Sequence, residues 1–202
     1  KSWKEAINAY RNGIPQTASG ELAVKIYAVL LAQNTAGEPQ KFADSWLKDH
    51  PKDSRFRLYL AESATARKDY PAAIRQYRAL LDAQPDSPVL MNNLAWVMAQ
   101  NKDPKAIDLA EKAYKLAPDQ PSIADTLGTL LVAKGDTERG LELMRKASSL
   151  APKDPGIKLN LAKALIKAGK TPDAKKKLDE LAALGDKYPA SKEVQELLQG
   201  LK

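Results

Sequence analysis

Few residues in this chain have the types and spacings that catalysis or phosphate binding requires. The run Ala168-Gly169-Lys170-Thr171 resembles the end of a phosphate-binding loop. That motif also needs a glycine five residues before Gly169, and position 164 is an alanine. Gly169 is better explained as the left-handed residue that ends a helix. The single histidine, His50, precedes a proline at a predicted helix C-terminus, where a cationic side chain interacts favourably with the helix dipole. We therefore predict no catalytic residues and no enzyme activity.

The composition narrows the chemistry further. The chain has 202 residues and no cysteine, which excludes disulfides, zinc–thiolate sites, iron–sulfur clusters and a cysteine nucleophile. With one histidine as well, we predict neither a metal site nor a cofactor. No segment approaches the roughly 18 consecutive apolar residues of a membrane span. Because the sequence begins at Lys1-Ser2-Trp3, we expect it to be a piece of a longer protein whose targeting signal or membrane anchor lies upstream.

Positive charge is concentrated near the C-terminus, in a chain with a formal net charge of +7. Residues 158–177, here called the basic segment, contain Asp173 and seven lysines: Lys158, Lys163, Lys167, Lys170, Lys175, Lys176 and Lys177. Such a face could attract an acidic protein, an anionic polysaccharide, lipid head groups or nucleic acid. We do not expect nucleic acid, because the segment has neither arginine nor aromatic residues. A solvated lysine-rich face is the alternative.

The spacing of the prolines predicts the elements that position these residues. Pro51, Pro85, Pro118 and Pro152 follow one another at intervals of 34, 33 and 34 residues, and other prolines repeat with the same period. Proline is tolerated in the first turn of a helix, where its missing N–H would have no partner anyway. A period near 34 is typical of a stack of helical hairpins. Apolar residues recur at helical spacing between the prolines, and no segment alternates as a strand.

We therefore predict an all-α fold, a right-handed superhelical α-solenoid. Residues 1–19 are expected to hold the second helix of a truncated preceding repeat, residues 20–188 five hairpins, and residues 189–202 a capping helix. The predicted helices span residues 3–12, 20–35, 39–49, 54–68, 71–83, 88–101, 103–116, 121–134, 137–149, 155–168, 172–184 and 190–200.

The repeats resemble the tetratricopeptide repeat over residues 20–200. That pattern has small residues where its two helices cross, a large residue later in the second helix, and a closing proline. Residues 121–154 match it with Leu127, Gly128, Gly135, Asp136, Gly140, Met144, Ala147 and Pro152. The resemblance implies a non-enzymatic interaction scaffold that holds a protein or peptide in a concave groove.

The resemblance also implies that the first helix of each hairpin lines the groove. The residues carried over to it are Arg55, Glu62, Asn92, Asn93, Trp96, Asp125, Thr129, Asn160, Lys163 and Lys167. Asparagine can bond both N–H and C=O groups of an extended peptide, and Trp96 offers a large apolar anchor. Alternatively, Asn93 and Asp125 bond backbone groups between hairpins, and Trp96 belongs to the core. Tetratricopeptide grooves that bind chaperone tails hold the terminal carboxylate of the tail with lysine and asparagine at two fixed positions of the first helix. These residue types do not occur together at those positions in this sequence, so we do not expect such a tail as the ligand.

A narrower resemblance is carried by residues 92–96, 124–128 and 143–147. These segments are similar to the last repeats of the tetratricopeptide lipoproteins of the exosortase (PEP-CTERM) system, although Thr129 stands where that family often has tryptophan. The resemblance implies a bacterial envelope scaffold for exopolysaccharide or protein export, lipid-anchored and facing the periplasm. Two alternatives stay open. One is a binder of an anionic polysaccharide or nucleic acid through the basic segment, and the other is a cytoplasmic adaptor for a peptide tail.

Overall fold

The computed structural model describes residues 20–33 and 37–201, and all regular secondary structure in these ranges is helical. This confirms the all-α prediction. The predicted helix at 3–12 lies outside the described residues. Contacts divide the chain into two compact units, residues 1–84 (unit 1) and 85–202 (unit 2). No described helix is both long and apolar enough to cross a bilayer.

The described part of unit 1 contains two helical hairpins. Its helices are α1 (Gly20–Ala32), α2 (Glu38–Asp49), α3 (Ser54–Ala66) and α4 (Tyr70–Ala83). An aromatic cluster joins α1, α2 and α3, with the rings of Tyr27 and Phe56 packed edge to face at 5.8 Å. Asp53 connects two of these helices, because its carboxylate caps α3 at Phe56 N and accepts a 2.8 Å hydrogen bond from Trp46 Nε1. His50 follows the end of α2 and packs on the Trp46 ring, which agrees with its predicted structural role.

Unit 2 contains three hairpins and a C-terminal helix. Its helices are α5 (Pro88–Gln100), α6 (Ala106–Leu116), α7 (Pro121–Lys134), α8 (Thr137–Leu150), α9 (Pro155–Lys167), α10 (Thr171–Ala182) and α11 (Ser191–Gly200), with a short 3₁₀ turn at Gly185–Lys187. Helix α7 packs against both α5 and α9, so the first helices of successive hairpins are neighbours. Val194 of α11 is fully buried against Leu159, Leu178 and Leu181.

Most helix starts follow the proline signals, but the start of α6 does not. Ser87 and Asp154 accept hydrogen bonds from backbone N–H groups in the first turns of α5 and α9. Gln120 precedes Pro121 but makes no side-chain cap. Helix α6 begins at Ala106, whereas the sequence predicted 103. The side chain of Asp103 accepts from Lys105 N instead, which makes a turn of residues 103–105.

A left-handed residue ends the first helix of four hairpins, at positions about 34 residues apart. Two of these hairpins have glycine at this position, Gly135 and Gly169, which agrees with the prediction for Gly169. The other two have lysine, Lys68 and Lys102, each with φ of 60°. The predicted helix 54–68 is therefore too long, because it includes Lys68. Both lysines stand where the other two hairpins have glycine, and the backbone adopts the same conformation there.

The lysine at this position provides a test. A left-handed conformation costs a residue with a Cβ roughly 1–2 kcal/mol, and the greater entropy of glycine in the unfolded chain offsets part of this. We expect Lys102→Gly to raise the free energy of unfolding by about 0.5–1 kcal/mol. Lys112→Gly in the middle of α6 is the control and should lower it by about 1 kcal/mol. Urea denaturation followed by circular dichroism measures both, and a loss of stability in Lys102→Gly would contradict the assignment.

Candidate functional site

Helices α5, α7 and α9 carry eight of the ten predicted groove residues. Asn92, Asn93 and Trp96 lie on α5, Asp125 and Thr129 lie on α7, and Asn160, Lys163 and Lys167 lie on α9. We call this surface of unit 2 the α5–α7–α9 face. The other two residues, Arg55 and Glu62, lie on α3 of unit 1. They line a shallow pocket with Glu21, to which Arg55 pairs at 3.6 Å.

Helix α5 presents an apolar, accessible strip. Trp96 is 38% exposed and Val89 is 50% exposed. The two are seven residues apart and thus on one side of the helix. Of the two roles that the sequence left open for Trp96, the structure therefore favours the accessible one. Exposed tryptophan beside polar atoms is a common centre of protein-binding energy.

Asn92 lies on the same helix, and one of its side-chain polar atoms has no hydrogen-bond partner among the described residues. The residue is 8% exposed, and its Nδ2 donates to Asn93 Oδ1 at 3.4 Å. Its Oδ1 is buried and has no hydrogen-bond partner within residues 20–33 and 37–201. A buried acceptor without a partner costs about 1–3 kcal/mol, so such atoms are rare in folded proteins.

Asp125 on α7 is in the same position one repeat later. Its Oδ2 accepts a 2.7 Å hydrogen bond from Asn160 Nδ2, which joins α7 to α9. Its Oδ1 is buried and, in the part of the chain that the structure describes, has no partner. Burial raises the pKa of the Asp125 carboxyl from 3.8 to about 6; the Asn160 hydrogen bond lowers it and the negative charge of Asp154 raises it further. One oxygen of Asp125 thus joins two hairpins, although it bonds a side chain and not the backbone groups that the sequence analysis considered, and the other oxygen is left buried without a partner among the described residues.

A cavity of about 200 Å³ opens beside these residues, between α7, α8 and α9. Its lining is mostly apolar and includes Thr129, whose hydroxyl is buried and has no partner among the described residues. The lining residues are Thr129, Val132, Ala133, Met144, Asn160, Lys163, Ala164 and Lys167. The volume suits one long side chain of a ligand.

The two lysines that line this cavity already have partners. Lys167 Nζ donates to the carbonyl oxygen of Val132 at 2.9 Å, near the C-terminus of α7, where a cation is favoured. Lys163 forms an ion pair with Glu193 of α11. Lys167 thus stabilises the packing of α7 and α9. Glu193 is not among the residues that the sequence predicts for the site, because it lies 30 residues from Lys163 on another helix and only the fold brings the two together.

The basic segment is partly balanced by acidic residues. Lys158 pairs with Glu180 at 2.7 Å, and Lys177 also approaches Glu180. Hydrogen bonds and charge from these lysines lower the pKa of the Glu180 carboxyl. Lys175 pairs with Asp179 at 2.9 Å, whereas Lys170 and Lys176 are exposed. No group of three or more His, Cys, Asp or Glu residues in the described ranges could hold a metal ion.

Family models for the tetratricopeptide repeat match most of this chain. One matches residues 4–88 and 69–121, and another matches residues 131–199. Among curated proteins, the TPR repeat-containing protein PA4667 of Pseudomonas aeruginosa is 26% identical over 128 residues. The match covers 59% of this chain and 22% of that relative, so the chain spans about a fifth of the relative's length.

Solved structures share the fold at low identity. The TPR protein TTC0263 of Thermus thermophilus has a TM-score of 0.69 at 13% identity, covering 91% of this chain and 98% of that chain. Yeast Tom70 has a TM-score of 0.68 at 16% identity, covering 95% and 41%. YrrB, described as a TPR protein with an unusual peptide-binding site, has a TM-score of 0.58 at 15% identity, covering 93% and 98%. These likenesses confirm the predicted fold class.

Proposed function

Because the chain belongs to the tetratricopeptide-repeat family, whose members are generally non-catalytic interaction scaffolds, we propose that it binds a partner protein through the α5–α7–α9 face. The observation that carries the proposal is a set of three buried polar atoms on this face that have no partner among the residues the structure describes: Asn92 Oδ1, Asp125 Oδ1 and Thr129 Oγ1. A bound segment would supply the missing hydrogen bonds and gain apolar contact with Trp96. The description of YrrB as peptide-binding supports the same kind of ligand.

An extended peptide suits the face for a physical reason. Asn92 and Asp125 occupy the same position in successive repeats, so their acceptors form a row, and an extended chain offers a row of N–H groups. Each donor delivered to such an atom removes the cost of leaving it buried without a partner. The cavity beside Thr129 takes one side chain, and Trp96 covers another. The polar row thus positions the peptide, and the two apolar sites select its side chains.

The experiment uses a library of random twelve-residue peptides displayed on phage and selected on the whole chain. Affinities of synthetic selected peptides are then measured by calorimetry. We expect Trp96→Ala to weaken binding about 30-fold or more, as for a central interface anchor. Leu116→Ala is the control, since Leu116 is an exposed large apolar residue, 53% exposed, on α6. Equal affinities for both variants and the unmodified chain would contradict the proposed face.

The cellular setting is a second, finer proposal. We place the protein in a bacterial cell-envelope system for exopolysaccharide or protein export, either periplasmic or outer-membrane associated. The support is the sequence resemblance of residues 92–96, 124–128 and 143–147. Reading the complete gene tests it, because an export signal followed by a lipid-attachment cysteine is expected upstream. A complete gene without either would favour the cytoplasmic adaptor. The pairing of Lys158, Lys175 and Lys177 with acidic residues gives the anionic-polymer alternative no added support.

A further inference from the structure

We propose that the segment bound by the α5–α7–α9 face places a cationic N–H donor, an ammonium or guanidinium group, against Asp125. This inference rests on the proposed function and specifies the chemistry of its ligand. The first support is the state of Asp125 itself. A carboxylate that is 8% exposed normally has a cationic partner, but its only hydrogen bond among residues 20–33 and 37–201 comes from the neutral amide of Asn160.

The second support is the polarity of the unused atoms. The atom of Asn92 that lacks a partner among the described residues is its acceptor, Oδ1, whereas its amide nitrogen donates one of its two N–H groups to Asn93. The free oxygen of an ionised Asp125 is an acceptor as well, and Thr129 can accept or donate. The face therefore requires a ligand that donates several hydrogen bonds. Guanidinium has five N–H donors and ammonium has three, and neither accepts.

The third support is that the neighbouring helices hold no cation for Asp125. Helix α5 contains no ionisable residue in Pro88–Gln100. On the α9 side, Lys163 pairs with Glu193, Lys167 binds carbonyl oxygens of α7, and Asp154 adds negative charge. The three cations of α8 have partners elsewhere, in the ion pairs Arg139–Glu111, Lys146–Asp119 and Arg145–Asp173. The counter-charge must come from outside this cluster.

The adjoining cavity accommodates the rest of a basic side chain. Arginine and lysine carry an aliphatic stem that packs on apolar surface while the charged end reaches a polar partner. The floor formed by Val132, Met144 and Ala164 is apolar, and Asn160, which lines the same cavity, is hydrogen-bonded to Asp125. A stem in the cavity would thus bring its charged end to the carboxylate. The carboxylate oxygens can exchange places by rotation about χ2, a soft torsion.

The test compares peptide selections from the same random library on the unmodified chain, on Asp125→Asn, and on Asp108→Asn, an exposed control on α6. We expect the unmodified chain and Asp108→Asn to select peptides enriched in Arg or Lys at one position, and Asp125→Asn to lose that enrichment. For a selected peptide, replacing arginine with the neutral isostere citrulline, or lysine with norleucine, should weaken binding about 30-fold. The same replacement should change binding to Asp125→Asn much less.

Two further comparisons show whether the cation is a side chain or the N-terminus of the peptide, and whether a negative result concerns this inference alone or the proposed function as well. Acetylation of the peptide's N-terminus leaves binding intact if the cation is a side chain and removes it if the cation is the terminal ammonium. Binding should also weaken below pH 6 in the unmodified chain and stay level in Asp125→Asn. Peptides that bind, depend on Trp96 and show no cationic preference would overturn this inference and leave the proposed function standing. Failure to select any peptide on this face would overturn both.

Discussion

Replacing Gly128 with alanine is expected to lower the free energy of unfolding by about 2–3 kcal/mol. Helices α7 and α8 cross at Gly128 and Gly140, and a Cβ built on Gly128 would lie 2.7 Å from the carbonyl oxygen of Gly140 and 2.5 Å from Met144 Cγ. Met144 can move, but the carbonyl belongs to the backbone of α8, so the two helices must separate. The sequence analysis assigned small residues to this crossing, and the structure shows why glycine is needed in this hairpin.

A matched substitution gives the opposite expectation. Gly200 lies in the last turn of α11, and a Cβ at this position would meet nothing within 4 Å, so Gly200→Ala should not lower stability. It should gain a few tenths of a kcal/mol, because alanine has the higher helix propensity. Urea denaturation of the whole chain, followed by circular dichroism, measures both variants. If Gly128→Ala proves as stable as the unmodified chain, the close crossing of α7 and α8 is wrong.

The second large effect is the pH dependence of stability that Asp125 contributes. Its pKa is about 6 in the folded chain, against 3.8 as the ordinary value, so the folded state binds the proton more tightly than the unfolded state. Stability from this group is fully present below pH 3.8 and is lost as the pH rises through 6. Two units of pKa correspond to about 3 kcal/mol, which is the upper limit of the loss at neutral pH.

Asp125→Asn removes this titration while keeping the size of the side chain. We expect the variant to be about 1–3 kcal/mol more stable than the unmodified chain at pH 7.5, a range from the same conversion, and nearly equal to it at pH 4. Asp108→Asn, on the exposed side of α6, should show a difference near zero at both values. A variant that is less stable than the unmodified chain at pH 7.5 would mean that the carboxylate has a stabilising partner in the folded state.

Much of the fold could be predicted from the prolines that mark the starts of helices. The prolines mark first turns by a local rule, and the period of 34 emerges from them without any knowledge of packing. Two boundaries differ clearly from the prediction, the end of α3 and the start of α6. Lys68 and Lys102 adopt the left-handed conformation although they are not glycine, because the same hairpin geometry is imposed on every repeat. Helix α6 begins at Ala106 and not at residue 103 as predicted, because the side chain of Asp103 accepts a hydrogen bond from Lys105 N and forms a turn there.

The sequence could predict which residues lie on the candidate site, but not which hydrogen bonds their side chains form. The resemblance placed Asn92, Asp125 and Asn160 on one face, and the structure finds them on neighbouring helices. Which of their polar atoms are used depends on partners that sequence spacing does not reveal. The pairing of Asn160 with Asp125 spans 35 residues. A sequence pattern cannot show that the remaining atoms are mostly acceptors, which is the property from which the proposed ligand is inferred.

The measurement that tests the central claim most directly is a crystal structure of the whole chain with a selected peptide. The account predicts an extended peptide along α5, α7 and α9, with a side chain on Trp96 and N–H donors within hydrogen-bond distance of Asn92 and Asp125. A peptide bound on α6, α8 or α10, with the atoms of Asn92, Asp125 and Thr129 still without partners, would contradict it.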